Sequence, residues 1–589
     1  MGGAIPITTD APGSAEASAA HTTRSLLVVD CGSVYTKAAL LGLVEQQYRL
    51  LAVAQAPTTR TPPIADIFDG IRRAIADLEH VTGRTLTRDG QIVVPETDDG
   101  SGVDAMAMST SAAGPLRLLA TGPGRDALAG LLHRAVGGLF VHIAALPTIH
   151  ALDAAGGDAE WQDALAQVRA LDPHALLVVG SPFGGGRGGP SMQETAGWLV
   201  RWLDALHAAP TDDQVAPRRS FPVLFAGSAA DAETLTHALQ GHSGTVQAMD
   251  GLSPSTLAPL NRAVSALYEA SVLRSLPGYR SARGRLATSP IASVTATAGM
   301  VRYLAQQYRT SVVGVDVGAS STALAGATAR GEFLPAVHPS AGVGPGIGTI
   351  LRARGMQQVM QWLSVPATED ELREYALMRM LRPHALPATA RELEFEHAFA
   401  REASQLALRA PGARLVGMHP VDVVLGTGGV LANVPQPAMA ALVLLDGLQP
   451  RGVTSLLLDT AQIASMLGSA AGVDAVAAGE VAERDAVAEQ LGTVISIAGE
   501  VAPGQTAVRV TLDFSDGRKH VQDVPQGALV RLPLARGEQT ILGLYPAPEA
   551  DVGLGAGQHA RASEPVEGGA LGLIIDARGR PLPVPADAG

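Results

Sequence analysis

Short, wholly apolar runs alternate along this chain with stretches whose apolar residues recur every three or four positions. From Ser25 three apolar runs follow closely, SLLVVD, TKAALLGLV and YRLLAVAQAP, the first two separated by a glycine-bearing turn. Such runs, joined by turn residues, predict a β-hairpin with a third strand beside it. In the next stretch, DIFDGIRRAIADLEHVTG, the residues Ile67, Ile71, Ile75 and Leu78 share one helical face, and the final glycine suits a helix cap. Three strands ahead of the first helix predict a mixed sheet rather than simple βα alternation. Farther on, HALLVVG and FPVLFAG read as buried strands with the helix SMQETAGWLVRWLDALHAA between them, a βαβ rhythm.

Near residue 311 the opening pattern returns as TSVVGVDVGASSTALAGA. Alignment sets Asp30 on Asp316, Gly32 on Gly318 and Thr36 on Thr322, an offset of 286 residues (316 − 30). An echo at this distance predicts two related halves, not a short-period solenoid. The region from about Arg352 to Arg409 is helical and more charged; within it, TEDELREYALMRMLRP carries Thr368 and Glu371 at capping-box spacing and stops before Pro383. PVDVVLGTGGVLANVP is a strand ending on a glycine loop, and two helical patterns follow to about Gln490. After that, GTVISIAG, QTAVRVTLDF, GALVRLPLA, QTILGLYPA and ALGLIIDARGRPLPVP form short strands between turn residues, a small all-β module. The expected division is a polar tail (1–24), a first half (25–310), a second half (311–490) and a C-terminal β-rich module (491–589).

Composition narrows the function classes. The 589 residues are 47% hydrophobic but only 4% aromatic, which suits α/β layers of small-residue helices on parallel strands. A net charge of −13 argues against nucleic-acid partners and anionic membranes. The single cysteine, Cys31, rules out an internal disulfide framework; without a histidine partner it reads as a buried small residue. No window offers about 18 uncharged apolar residues, and the N-terminus lacks the basic start and apolar core of a secretory signal. A cytoplasmic protein is expected. The 15 histidines show no metal-ligand spacing, and no cobalamin-binding Asp-x-His-x-x-Gly pattern is present.

The doubled motif carries the chemistry. A tight hairpin turns backbone N–H groups outward, where they bind phosphate oxygens. Gly32 allows close approach, Ser33 and Thr36 add hydroxyls, and Lys37 adds a positive charge. An aspartate just before such a turn makes sense when a hydrated magnesium ion lies between it and the phosphates. Two facing hairpins would grip one polyphosphate, with Asp30 and Asp316 converging on the metal.

This arrangement resembles the actin, sugar-kinase and heat-shock-chaperone ATPase superfamily. More narrowly, the chain is similar to the glutamate-mutase-associated MutL (GlmL) family, which is unrelated to the mismatch-repair protein of the same name. The matching stretches are DCGSVYTKAAL, STSAAGPLRLLATG, HALLVVGSPFGGG, VLFAGSAAD, VDVGASSTALA and VVLGTGGVLANVP, over roughly residues 25 to 490. The resemblance implies duplicated actin-like (ribonuclease H-like) α/β ATPase domains with the added C-terminal all-β module, and ATP and Mg²⁺ as cofactors. It places Asp30, Gly32, Ser33, Thr36 and Lys37 at the first phosphate hairpin and Asp316, Gly318, Ser321 and Thr322 at the second. Gly426, Gly428 and Gly429 fall in the loop expected near adenosine, and Asp30 and Asp316 are the expected catalytic and metal-positioning residues. The family's second hairpin commonly closes on an aspartate where this chain has Ala323, which implies slow or absent hydrolysis.

The implied activity is that of an ATP-dependent accessory or chaperone protein, a reactivating or assembly factor for a partner protein, namely a cobalamin-dependent mutase. The alternatives are a non-hydrolysing nucleotide-binding scaffold and, more weakly, a small-molecule kinase. Two further glycine stretches stay open at this level. SPFGGGRGG (181–189) is an anion loop or a surface loop, and GVGPGIGT (342–349) is a structural turn, a hinge or a wall of the cleft.

Overall fold

The computed structural model describes residues 23–125, 128–145, 158–181, 191–207, 221–242, 244–410, 420–485 and 487–582. The expected N-terminal tail up to residue 22, and residues 182–189 of the glycine stretch SPFGGGRGG, therefore lie outside the described residues. Contacts divide the chain into one compact unit of Met1–Ala112 with Arg280–Gly589 and a second of Ala113–Tyr279.

In the first unit, β1 (Ser25–Cys31) is buried at every residue, as a central strand covered on both faces must be. It pairs antiparallel with β2 (Tyr35–Val44), and β2 pairs antiparallel with β3 (Gln47–Pro57). On its other side β1 pairs parallel with β4 (Ala105–Thr110), and β4 pairs parallel with β5 (Ile291–Ala292). The sheet order is β5-β4-β1-β2-β3. After β3, helix α1 (Ile67–Thr82) covers the sheet with Ile67, Phe68, Ile71, Ile75 and Leu78. The Asp66 side chain caps its start, and Gly83, at φ +68°, ends it.

A second sheet repeats the scheme. Strands β6 (Val312–Val317), β7 (Thr322–Ala327) and β8 (Phe333–His338) pair antiparallel in sequence. Parallel to β6 lies β9 (Val423–Thr427), and parallel to β9 lies β10 (Gly452–Leu458). The order β8-β7-β6-β9-β10 matches β3-β2-β1-β4-β5 strand for strand, in direction as well as position. This duplicated ribonuclease H-like arrangement is the actin-like fold expected from the sequence.

Helix α2 (Ser293–Gln307) runs between β5 and β6 and buries Val294, Ala298, Val301 and Ala305. In the charged region, α3 (Glu369–Leu381) begins with the expected Thr368–Glu371 capping box, and α4 (Ala390–Leu408) follows it. After β10 come α5 (Ala464–Ala470) and α6 (Ala475–Arg484). A Cβ on Gly468 of α5 would fall 2.0 Å from the Ala296 carbonyl oxygen of α2, so these helices touch backbone to backbone. Leu26 and Val28 of β1, Met300 of α2, Met466 and Leu467 of α5 and Val481 of α6 share one core. The edge strand β3 is covered by α6 and the residue after it: Tyr48 N donates to Glu480 and Leu50 N to Asp485, which blunts an otherwise open sheet edge.

The all-β region starts at β11 (Glu489–Ser496), which pairs antiparallel with β10. β12 (Thr506–Phe514), β13 (Lys519–Pro525), β14 (Leu529–Leu532), β15 (Gln539–Pro546) and β16 (Leu573–Asp576) complete its longer strands. β11, β16 and β14 extend the second sheet, whereas β13, β12 and β15 form another. Ile495, Val508, Val510, Leu542, Leu544 and Ile575 make the core between them. This region is therefore hydrogen-bonded into the second sheet.

The second unit has a five-stranded parallel sheet ordered 246–249, 223–226, 175–179, 116–121, 141–145, with Trp161, Trp198 and Trp202 clustered among its helices. Among the described residues no helix is long and apolar enough to cross a membrane.

Candidate functional site

The two hairpin turns are built alike. Gly32 N donates to the Tyr35 carbonyl at 3.0 Å, and Gly318 N donates to the Ser321 carbonyl at 3.0 Å, the same pair displaced by the repeat. Each turn is also held by the segment after its third strand. At the first, Thr58 N donates to Val34 O at 2.8 Å and Thr58 Oγ1 to Gly32 O at 2.9 Å. At the second, Val343 N reaches Gly318 O at 3.1 Å, and Gly344 N and Gly346 N reach Ala319 O at 2.8 and 3.3 Å. A Cβ on Gly342 would lie 2.5 Å from Ala319 and Ser320 backbone atoms. The GVGPGIGT stretch is thus a clasp over the second turn, and Gly342, Gly344 and Gly346 are fixed by that close approach.

With their carbonyls tied back, the turns keep their amides. Among the described residues, Ser33 and Val34 in the first turn, and Ala319, Ser320 and Ser321 in the second, donate their backbone N–H to no acceptor. Consecutive free amides of this kind form anion-binding nests.

The carboxylates behind the turns differ. Asp30 is buried and well partnered: its Oδ1 accepts Ser109 Oγ at 2.9 Å and Ser293 Oγ at 2.6 Å, and Lys37 Nζ lies 3.5 Å from Oδ2. Ser293 is the first residue of α2, so the helix dipole also favours the Asp30 charge. Lys37 faces Asp30 across the hairpin, whereas the equivalent position facing Asp316 is Ala323. No donor among the described residues reaches Asp316. Burial pushes its pKa up to about 6; the Asp30 and Asp459 charges push the same way, and Lys37 opposes them. Asp30, Lys37, Asp316 and Asp459 therefore form one electrostatic group. Asp459, wholly buried, accepts Thr427 Oγ1 at 2.9 Å and the N–H groups of Ile463 and Ala464 at 3.0 and 2.9 Å. Desolvation still raises its pKa.

The remaining expected residues fall into two sets. Ser33, Gly32 and Gly318 lie at or beside the free amides, and Lys37 pairs with Asp30. Thr36 and Thr322 do not: both are fully buried. Thr36 Oγ1 is engaged with Cys31 Sγ and Thr58 Oγ1, because strand alternation turns it into the hairpin's packed face. Ser321 is also buried and contributes its backbone. Gly428, at φ +96°, sits against Asp316: a Cβ there would be 2.6 Å from Asp316 Oδ1. Gly426 is packed under Leu431 and Leu444, and Gly429 has room around it. Cys31 is buried, its thiol pushed up to about 12 by burial, which excludes a ready nucleophile. Sequence reasoning missed Asp459, although SLLLD ends a third apolar strand on an aspartate as the two hairpins do. It also missed Ser109, which the parallel register sets beside Asp30.

Among the described residues no group of three or more His, Cys, Asp or Glu is arranged as a metal centre. A magnesium ion needs few protein ligands when it shares its shell with waters and phosphates. Asp316, a partly buried carboxylate that no donor among the described residues reaches, fits that role; Asp30 is already occupied by two hydroxyls and an ammonium.

The family model described as MutL protein matches residues 26–486, and the chain belongs to this family, the glutamate-mutase-associated kind of MutL. No curated protein matches the sequence. Solved structures that resemble it include an acetone carboxylase in nucleotide-free form, 14% identical over 76% of this chain and 70% of that one, with a TM-score of 0.30. A diol dehydratase-reactivating factor in nucleotide-free form is 13% identical over 76% and 99% of the two chains, with a TM-score of 0.29. Component A of the Acidaminococcus fermentans (R)-2-hydroxyglutaryl-CoA dehydratase is 8% identical over 76% and 96%, with a TM-score of 0.26. At such scores the fold assignment rests on the repeated strand order.

Proposed function

We propose, with the MutL family membership as premise, that this protein binds a magnesium nucleoside triphosphate, ATP, between its two hairpin turns and acts as an accessory protein on a partner enzyme. The reading rests on one observation: two equivalent turns with free consecutive amides share an electrostatic group of three carboxylates and one lysine. The amides of residues 33–34 and 319–321 bind phosphate oxygens, and Lys37 neutralises charge beside Asp30. Bound magnesium would supply charge neutralisation at the phosphates, and Asp316 would hold it. Asp30, fixed by Ser109, Ser293 and Lys37, sets the field in which a water near the terminal phosphate is oriented. Nucleotide state then shifts the protein between conformations that its partner distinguishes. By family resemblance that partner is a cobalamin-dependent mutase, for which the protein serves as a reactivating or assembly factor in the cytoplasm.

A second reading, a nucleotide-binding scaffold that does not hydrolyse, is favoured by Ala323, which leaves the position facing Asp316 without a polar group. Steady-state phosphate release from Mg-ATP, with and without Asp30→Ala, separates the two. Slow release that the substitution abolishes supports the ATPase. Release at background in both, together with calorimetric nucleotide binding, selects the scaffold, and absence of binding rejects both.

A further inference from the structure

The two turns are joined by a second route that does not pass through the sheets. Tyr35, whose carbonyl closes the first turn, donates its phenolic hydroxyl to the His384 carbonyl at 2.9 Å. The neighbouring Ala385 carbonyl accepts Nη1 of Arg379, and Arg379 Nε donates to the Val343 carbonyl at 3.4 Å. Val343 is the clasp residue whose own N–H holds Gly318 O of the second turn. Arg379 is 5% exposed, and its Nη2 lies 2.9 Å from Glu396, which is equally buried. One guanidinium therefore spans three partners at once, a geometry that a lysine cannot reproduce.

We infer that Tyr35 and Arg379 are positioning residues: through the 384–385 loop they form a strap that fixes the separation of the two turns. The strap sets how well one polyphosphate can be held by both. Buried Glu396 supplies the countercharge that keeps Arg379 inside. This inference rests on the clamp proposed above for its functional consequence, but the strap itself can be tested without nucleotide.

The test is amide hydrogen exchange of the ligand-free full chain, comparing Tyr35→Phe with the unsubstituted protein. Loss of a neutral hydrogen bond is expected to speed exchange at Val343, Gly344 and Gly346 about fivefold, although the substitution is made at the other turn. Unchanged exchange at these three amides overturns the strap. Binding of a fluorescent ATP analogue supplies the second readout. Tyr35→Phe should weaken it about fivefold, and Arg379→Lys, which keeps the charge facing Glu396, about tenfold. Faster exchange without any nucleotide binding by the unsubstituted protein would keep the strap and reject the clamp. Normal binding by Arg379→Lys together with normal exchange in Tyr35→Phe would reject the strap and keep the clamp.

Discussion

The two hairpins share a backbone and differ in charge. In the first, Asp30 is locked by Ser109, Ser293 and the lysine facing it. In the second, Asp316 faces an alanine, has no donor among the described residues, and is held near pKa 6 by burial. The repeat supplies two turns of equal backbone geometry, each with consecutive free amides. Three partners set the carboxylates apart: Lys37 faces Asp30 where Ala323 faces Asp316, Ser109 donates to Asp30 where the equivalent Thr427 turns to Asp459, and Ser293 adds a further donor to Asp30 alone. Partial burial without a donor disfavours the charged form of Asp316, the direction in which its pKa is moved.

The largest test of this contrast is Asp316→Asn. It should weaken Mg-ATP binding by roughly 100-fold, the loss of a charge-assisted contact, as measured by calorimetry. In the ligand-free protein it should instead raise the unfolding midpoint by roughly 2–4 °C, the shift about 1 kcal/mol produces in a large domain. The pH dependence has a defined sign. Folded Asp316 keeps its proton longer than the unfolded chain does, so ligand-free stability falls as pH rises through about 6. Metal-dependent binding strengthens over the same interval, and the substitution removes both slopes.

On nucleotide binding, a smaller effect is expected from Lys37→Met, although its effect on stability is larger. Removing the ammonium leaves Asp30 with hydroxyl partners only and takes away the charge that lowers the Asp316 pKa. Stability should drop by about 3 kcal/mol in denaturant unfolding. The pH at which binding develops should move upward. The smallest effect belongs to Asp459→Asn, whose side chain can still cap the segment at Ile463 while losing a charge that raises Asp316. Its binding midpoint should move to lower pH by less than about one unit, with affinity at neutral pH nearly unchanged. A downward shift for Lys37→Met, or an upward one for Asp459→Asn, would refute the shared electrostatic group.

Much of this was legible in the sequence because it is local. The β1–β2 and β6–β7 hairpins, the cap at Gly83 and the Thr368–Glu371 box each depend on a few adjacent residues. The strand pairing of Ser109 with Ile291 joins residues on either side of the whole 113–279 unit, so no local pattern marks where that unit begins. The threonines following the turns were read as phosphate donors, yet alternation along β2 and β7 turns them inward. The glycines of the 342–346 clasp were visible as letters, but their purpose depends on Ala319 and Ser320 lying against them. The Tyr35–His384 bond joins residues 349 positions apart and leaves no trace in either neighbourhood.

The bare crossing of α2 over α5 has a mechanical corollary. Ser293, which grips Asp30, stands one helical turn before Ala296, and Asp459 is held by the segment leading into the helix that carries Gly468. Where two rods meet without side chains between them, turning one about the other displaces both of their ends. A rotation at this crossing would therefore carry the anchors of both aspartates, Ser293 and the Ile463–Ala464 segment. Shape and charge meet at this crossing, beside the other contacts that join the two halves.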